Sequence, residues 1–246
     1  MENHTPLTNR YMLIDGVRGI AIVLMVIYHF SWDLSYFQIA DFDILGNPYW
    51  IWFARFIAGL ILLVVGVAYV MAQRSSFDSR KFLKRLVVIT ACAAAVSFAT
   101  YQIDPKTFVY FGILHHIAVA TILLLIANRL PRLVLALMAG FFLIGPQFLK
   151  LESVSPTWLM WSGLAETSRI SVDYLPLFPW FGIPLLGMVL GREMLAWSQK
   201  TRILEWKSTN PLVGATCFVG RHSLLIYMAH QPILFGGLYA IVSLIK

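Results

Sequence analysis

The sequence predicts an all-α, polytopic membrane protein, a bundle of about seven transmembrane helices. Three observations support this prediction: 59% of the 246 residues are hydrophobic, only 13% are charged, and the mean hydropathy is +0.74. Soluble domains carry about 25% charged residues, so a chain with half that fraction is suited to lipid. No polar stretch is long enough for a soluble domain, and we expect residues 1–246 to form a single transmembrane domain.

Seven apolar stretches have the length that a bilayer requires, about 20 residues each. They are residues 17–36, 49–72, 83–101, 108–127, 131–149, 174–196 and 219–244. The first stretch follows Asp15 and Arg18 directly and has no small-residue cleavage site after it. We therefore expect it to stay in the mature protein rather than to act as a secretory signal.

The charges of the connecting loops predict the orientation of the chain. Basic residues concentrate in 73–85, 128–132 and 192–210, whereas 33–48 holds acidic residues and no Lys or Arg. Because basic loops stay in the cytoplasm, the N-terminus is expected inside and the C-terminus outside, in a multi-pass protein of the inner (plasma) membrane. The net charge of +7 then reflects contact with the lipid bilayer, and no nucleic-acid partner is expected.

The first apolar stretch carries ionisable groups at three depths. Arg18 lies near the cytoplasmic face, His29 lies about 16 Å further along the helix, and Asp33 is one turn beyond. Ionisable groups within lipid are costly and therefore suggest a functional site. The i,i+4 spacing places His29 and Asp33 on one face, where the carboxylate can orient the imidazole.

The fourth and seventh stretches carry further polar groups, with Arg221 and His222 at the cytoplasmic mouth of the seventh and the others towards the membrane interior. These groups are His115, His116, Arg221, His222, His230 and Gln231. A histidine inside a helix bundle also serves as a hydrogen-bonding strut between helices, and that alternative applies to each imidazole here. No HxxxH or HExxH spacing occurs, and the two cysteines lie in or beside different stretches, so no metal is expected.

Four segments form an ordered set of motifs: RYMLIDGVRGIAIVLMVIYHF at 10–30, FGILH at 111–115, VDYLPLFPWFG at 172–182 and GRHSLLIYMAHQP at 220–232. Together they resemble the small bacterial proteins assigned to the heparan-α-glucosaminide N-acetyltransferase catalytic domain. The arginine, ten intervening residues and histidine of the first segment also look like the motif of the membrane acyltransferase-three proteins, which O-acylate surface glycans.

The resemblance implies a membrane N- or O-acetyltransferase. Such an enzyme would carry an acetyl group from cytosolic acetyl-CoA, its cosubstrate, to an amino sugar or glycan on the extracytoplasmic side. It associates Arg18 with CoA binding and His29 with catalysis. In the animal heparan enzyme the position of His29 looks like an asparagine, and its catalytic histidine lies in the following loop. Residues 30–48 contain no histidine, so His29 is expected to be the base or to pass that role to the fourth stretch.

These arguments predict three groups of site residues. The catalytic set is His29, Asp33, His115 and His116; the CoA-binding set is Arg18, Arg192, Arg221 and His222; the substrate-binding set is Asp173, Tyr174, Trp180, His230 and Gln231. Asp33 is expected to hold His29 while the imidazole removes a proton from the acceptor, and a route through acetyl-histidine fits the residues equally well.

Two other classes of function fit the same residues. In a proton-coupled small-molecule transporter, His29 and Asp33 would act as proton relays. In a noncatalytic membrane partner subunit, they would serve packing alone. The sequence leaves the oligomeric state open, a homodimer included.

Overall fold

The computed structural model describes residues 11–73, 77–148, 157–164 and 171–245, and it confirms the all-α class, with 79% helix. The helices are α1 (Met12–Tyr36), α2 (Pro48–Ala72), α3 (Ser79–Ile103), α4 (Ile113–Ala127), α5 (Arg132–Ile144), α6 (Leu177–Trp180), α7 (Gly182–Thr201), α8 (Pro211–Arg221) and α9 (Ser223–Ile245). The described ranges contain no β-strand. Most of the predicted outer loop 150–173 lies outside the described residues.

Four helices, α1, α2, α3 and α9, are long and apolar enough to cross a membrane. Helices α4 and α5 are apolar but shorter, with 15 and 13 residues. At 1.5 Å per residue they reach about 20 Å, less than the hydrocarbon core of about 30 Å. The chain is thus a membrane protein by helix length and composition, while the seven spans, the orientation and the inner-membrane location stay predictions.

Helix α4 begins five residues later than the predicted stretch 108–127. Residues 107–111 instead pair with residues 171–175: the Val172 N–H donates to the Thr107 carbonyl (3.0 Å), and the Leu175 N–H donates to the Phe111 carbonyl (3.1 Å). Because this pairing uses backbone groups that a helix needs for itself, the helix starts only after it.

Proline and glycine shorten or divide the other predicted stretches. Helix α5 ends at Ile144, before Gly145 and Pro146, and α7 begins at Gly182, after two prolines within 174–181. Proline has no N–H to donate and disfavours a helical conformation in the residue before it. The stretch 219–244 is divided at His222, where α8 ends and α9 begins.

The chain forms two compact units. Residues 1–57 with 194–246 make up one, which we call the terminal unit, and residues 58–193 make up the other, the central unit. The single domain expected from the sequence stays a prediction.

In the terminal unit, α1 and α8 cross at very short range. A methyl group on Gly19 would overlap the Thr216 carbonyl, and one on Gly220 would overlap the Asp15 carbonyl. Such close packing through small residues is typical of helices in membranes, where apolar side chains gain little free energy by moving from lipid into a helix interface.

In the central unit, α2 and α7 approach each other in the same way. Gly66 lies against the Pro184 carbonyl, and Gly187 lies against the Leu63 carbonyl, so neither position has room for a methyl group. Helix α3 packs on α4. Fully buried apolar side chains of this unit include Leu62, Leu124, Leu135, Leu185 and Met188.

Candidate functional site

Four polar side chains meet where α1 packs on α9 in the terminal unit. The Gln231 side-chain amide donates to Asp33 Oδ1 (2.7 Å), and the ring centres of His29 and His230 lie 4.8 Å apart at an interplanar angle of 61°. Asp33 is fully buried. We call these residues the α1–α9 cluster; His29, Asp33, His230 and Gln231 were all predicted site residues, and the fold brings them together.

The predicted direct pairing of Asp33 with His29 is not formed in this structure. The carboxylate is bonded to Gln231 on α9, and within the described residues no hydrogen bond or ion pair joins Asp33 to His29. The i,i+4 spacing does place both on the side of α1 that contacts α9, as expected. However, α9 offers a side-chain amide at hydrogen-bonding distance, and the carboxylate takes that partner instead.

The hydrogen bonds of His230 determine which of its ring nitrogens carries the proton. Its Nδ1 lies 2.6 Å from the Tyr227 carbonyl oxygen, which can only accept, so Nδ1 is the donor. In a neutral imidazole Nε2 then holds the lone pair. That nitrogen is buried and has no hydrogen-bond partner in the described structure, so the fold holds a proton acceptor ready inside the α1–α9 cluster.

Two further acceptors of the cluster, Asp33 Oδ2 and Gln231 Oε1, are buried and have no partner among the described residues. An unsatisfied buried polar atom costs about 1–3 kcal/mol, and proteins rarely retain several side by side. Acceptors of this kind are complementary to a ligand that brings N–H or O–H groups. Within the described residues neither ring nitrogen of His29 makes a hydrogen bond, so this imidazole is also available for chemistry.

Aromatic side chains line the cluster on the side of His29. The Tyr28 ring lies 5.7 Å from the His29 ring and about 6 Å from the rings of Trp50 and Phe53. Apolar surroundings lower the local dielectric constant and strengthen the electrostatic interactions of the imidazole and carboxylate.

The predicted CoA-binding residues Arg18 and Arg221 flank the α1–α8 crossing. Arg18 forms an ion pair with Asp15 (3.2 Å); Arg221 is exposed, and its Nε donates to the Cys217 carbonyl (3.1 Å). His222 is also exposed, at the junction of α8 and α9. Eleven residues of α1, about 16 Å, separate Arg18 from His29.

In the central unit, His115 has both ring nitrogens engaged. Its Nδ1 accepts from the Gly112 N–H (3.3 Å), so the ring proton is on Nε2, which donates to the Ser97 hydroxyl (3.2 Å). The Ser97 hydroxyl donates in turn to the Val109 carbonyl. His115 therefore holds the start of α4 to α3, which is the strut alternative considered from the sequence.

His116 points the other way and is fully buried. Its Nδ1 donates to the Leu175 carbonyl (3.2 Å), and its Nε2 has no partner in the described structure. The hydrogen bond to Leu175 ties α4 to the segment 171–175.

Three predicted substrate-binding residues, Asp173, Tyr174 and Trp180, also belong to the central unit. Asp173 Oδ2 accepts from the Ile113 N–H at the start of α4 (2.9 Å), and the Tyr174 hydroxyl donates to the Met160 carbonyl (2.6 Å). Trp180 ends α6 and is partly exposed. Burial raises the pKa of Asp173 to about 6, against the lowering effect of the bond from Ile113.

Arg192 is bound to the main chain. Its terminal nitrogens donate to the carbonyls of Leu130 (2.7 Å) and Asn128 (2.6 Å), just beyond the end of α4. A cation at a helix C-terminus satisfies carbonyls that have no partner within the helix and interacts favourably with its dipole. This geometry gives Arg192 a structural contact, and its contact with CoA stays a prediction.

Sequence reasoning did not identify two groups that shape these sites. The Tyr227 carbonyl sets the proton position of His230, and Ser97 fixes His115. A backbone carbonyl leaves no trace in the sequence, and Ser97 lies in a helix with no motif around it. Within the described ranges, no group of three or more His, Cys, Asp or Glu side chains is placed to hold a metal ion.

A helical membrane protein with imidazoles and a carboxylate buried between its first and last long helices has the features of a membrane-embedded enzyme. The family model described as heparan-α-glucosaminide N-acetyltransferase, catalytic, matches residues 10–232, about nine-tenths of the chain. The chain belongs to this family of membrane acetyltransferases, which confirms the predicted resemblance. No curated protein and no solved structure matches the chain.

Proposed function

We propose that this protein transfers an acetyl group from cytosolic acetyl-CoA to an amino sugar or glycan on the extracytoplasmic side of the membrane. The α1–α9 cluster is the observation that carries the proposal. It combines an imidazole that makes no hydrogen bond with any described residue and a set of buried acceptors, and it lies about 16 Å along α1 from the arginine side of the unit.

The orientation follows from the basic loops 73–85 and 192–210, which favour the cytoplasm. With the N-terminus inside, Arg18 and Arg221 face the cytosolic pool of acetyl-CoA. His29 then lies deeper in the membrane, towards the compartment that holds the acceptor.

The CoA phosphates would be bound by Arg18 and Arg221. The two terminal nitrogens of Arg221 make no hydrogen bond within the described residues, and its side chain is exposed, so the guanidinium fits a phosphate group. The pantetheine arm of CoA would carry the thioester from this end towards His29. We leave Arg192 out of the binding set because main-chain carbonyls already occupy its guanidinium.

The chemistry assigned to His29 is general base catalysis. As the acceptor nitrogen or oxygen attacks the thioester carbonyl, His29 takes its proton, a new bond forms to the acetyl carbon, and the carbon–sulfur bond breaks. The electrons leave on the CoA sulfur, which takes up a proton to give the free thiol. Asp33 and Gln231 join α9 to α1 beside the reacting groups.

The role of base is assigned to His29 rather than to the histidines of α4. Both nitrogens of His115 are engaged in fixing α4, and His116 is fully buried. A general base needs a free lone pair within reach of the acceptor. His29 meets that condition because it is only partly buried and makes no hydrogen bond in the described structure.

The test is acetyl transfer by purified protein in liposomes, with labelled acetyl-CoA outside the face that carries the arginines and glucosamine as the acceptor probe. We expect His29→Ala to abolish transfer while acetyl-CoA affinity changes less than threefold. Arg221→Ala should weaken acetyl-CoA binding about tenfold or more, and the salt dependence of binding should fall.

Two results would contradict the proposed function. Proton-coupled flux of a solute without acetyl-CoA would indicate the transporter alternative. Full activity of His29→Ala would remove the imidazole from the chemistry and favour the noncatalytic alternative.

A further inference from the structure

We propose that His230 is the positioning residue of the catalytic base: its Nε2 accepts the N–H of His29, takes that proton as the acceptor protonates His29, and thereby exposes the other nitrogen of His29 to the acceptor. This inference rests on the proposed acetyl transfer and adds a role that the sequence assigned to Asp33.

As a general base, His29 needs a hydrogen-bond acceptor for its second ring nitrogen. A neutral imidazole acts as a base through one nitrogen while the other carries a proton, and a fixed acceptor for that proton sets the tautomer and the ring orientation. Asp33 was the expected acceptor, but its Oδ1 is bonded to Gln231. Its Oδ2 is buried, and within the described residues no hydrogen bond or ion pair joins either oxygen to His29.

His230 offers a nitrogen lone pair next to His29. The Tyr227 carbonyl, 2.6 Å from Nδ1, holds the His230 proton on that nitrogen. Nε2 is therefore an acceptor; it is buried in a side chain that is 8% exposed and has no partner in the part of the chain that the structure describes. The centre of the His29 ring lies 4.8 Å from the centre of the His230 ring.

The hydrogen bond between His29 and His230 forms through a movement of the His29 ring. No hydrogen bond joins the two rings in this structure, so the bond requires a rotation of the His29 ring about its own side-chain bonds, which we expect in the reacting complex. Catalytic hydrogen bonds are often long before the substrate binds and tighten in the reacting complex. Within the described residues, the titratable groups in ring contact with His230 are His29 from α1 and Tyr227 from α9 itself. Asp33 from α1 is bonded to the adjacent Gln231.

The acceptor, His29, His230 and the CoA sulfur account for every proton that moves during acetyl transfer. The acceptor N–H or O–H proton moves to one nitrogen of His29, and the proton on the other nitrogen moves to Nε2 of His230. The acceptor forms a bond to the acetyl carbon, the carbon–sulfur bond breaks, and the CoA thiolate leaves. The extra proton on the histidine pair then returns through His29 to the sulfur, which gives CoA thiol and restores both imidazoles.

The variant that tests this role is His230→Asn. The asparagine amide can still donate to the Tyr227 carbonyl in place of Nδ1, but it has no nitrogen lone pair at the position of Nε2. With glucosamine and acetyl-CoA as probes, we expect kcat to fall about tenfold or more while the KM for acetyl-CoA changes less than twofold. The acid limb of the pH–rate profile should also change position, because His29 loses the neighbouring imidazole with which it shares a proton.

Ser31→Ala is the matched control. Ser31 is buried on α1 two residues from His29, and its hydroxyl donates to the Ile27 carbonyl (3.0 Å). Its loss removes a buried hydrogen bond from the same helix without altering either imidazole, so kcat should stay within twofold. A His230→Asn profile that overlays the parent profile after scaling would overturn the inference, because a purely structural strut changes the rate equally at every pH.

A measurement on the parent protein covers the case in which His230→Asn does not fold. In mixtures of H2O and D2O, the rate of a step that moves two protons through the two histidines varies nonlinearly with the deuterium fraction of the solvent. A straight line would show a single proton in motion and would overturn the role of His230 while leaving His29 as the base. A parent protein that transfers no acetyl group would instead overturn the proposed function itself.

Discussion

Replacement of Asp173 by asparagine should make the protein more stable at neutral pH, although it alters the side chain that caps α4. Asp173 accepts the Ile113 N–H, and an asparagine oxygen can accept the same bond. Burial raises the pKa of Asp173 from 3.8 to about 6. The folded protein therefore disfavours the charged carboxylate, and Asp173→Asn removes that charge.

The direction and size of this change in stability follow from proton linkage. A carboxyl group whose pKa is raised on folding contributes stability that is fully present below about pH 4 and is lost as the pH rises through 6. At about 1.4 kcal/mol for each tenfold change in proton affinity, the loss above pH 7 amounts to about 3 kcal/mol. For a chain of this size, that corresponds to roughly 6–12 °C in melting temperature.

Thermal unfolding in detergent at pH 4 and pH 7.5 measures the effect. Asp173→Asn should melt close to the parent at pH 4 and several degrees above it at pH 7.5. Asp104→Asn is the control with the opposite sign, because hydrogen bonds from the Lys106 backbone and the Thr107 hydroxyl lower the pKa of Asp104. An Asp173→Asn protein that melts below the parent at pH 7.5 would refute the reasoning and show that the helix dipole favours the carboxylate more than burial disfavours it.

Three further predictions concern packing and hydrogen bonding. Gly220→Ala should lower the stability by about 1–3 kcal/mol through overlap with α1, while Gly214→Ala on the same helix, where a methyl group meets open space, should not; equal melting temperatures would contradict this. Arg192→Ala leaves two main-chain carbonyls without their partner, so amide hydrogen exchange in the last turn of α4 should accelerate; unchanged exchange would argue against the assigned contact. In a double-mutant cycle, Asp33→Ala and Gln231→Ala should show a coupling energy of about 0.5–3 kcal/mol, and additive effects would mean that the hydrogen bond contributes nothing.

Composition and hydropathy were sufficient to predict the helical class, because a chain that is 59% hydrophobic can satisfy its backbone in lipid only through helices or a closed barrel. The start of α4 was not predictable in the same way. It depends on pairing between residues 107–111 and 171–175, and such a contact leaves no periodic pattern in either segment. Apolar periodicity reports on local structure alone.

The candidate site shows the same limit. Helical spacing placed His29 and Asp33 on one face of α1, and the structure confirms that face. The partner of Asp33 depends on the rotation of α9 about its own axis and on its position along α1. The residue spacing within α1 carries no information about either. Gln231 lies 198 residues further along the chain, so only the folded structure decides between Gln231 and His29 as the hydrogen-bond partner.

The composition of the terminal unit has a consequence for biosynthesis. Its residues come from both ends of the chain, 1–57 and 194–246, and α1 finds its partners α8 and α9 only after the ribosome has made nearly the whole protein. Until then, Asp33 lies in or beside the bilayer without its hydrogen bond from the Gln231 amide. This unpaired carboxyl group makes the free energy of membrane insertion less favourable. Contacts between such distant segments also form slowly. We therefore expect nascent chains that end before α9 to be recognised and degraded by membrane proteases, even though their first long helix is complete.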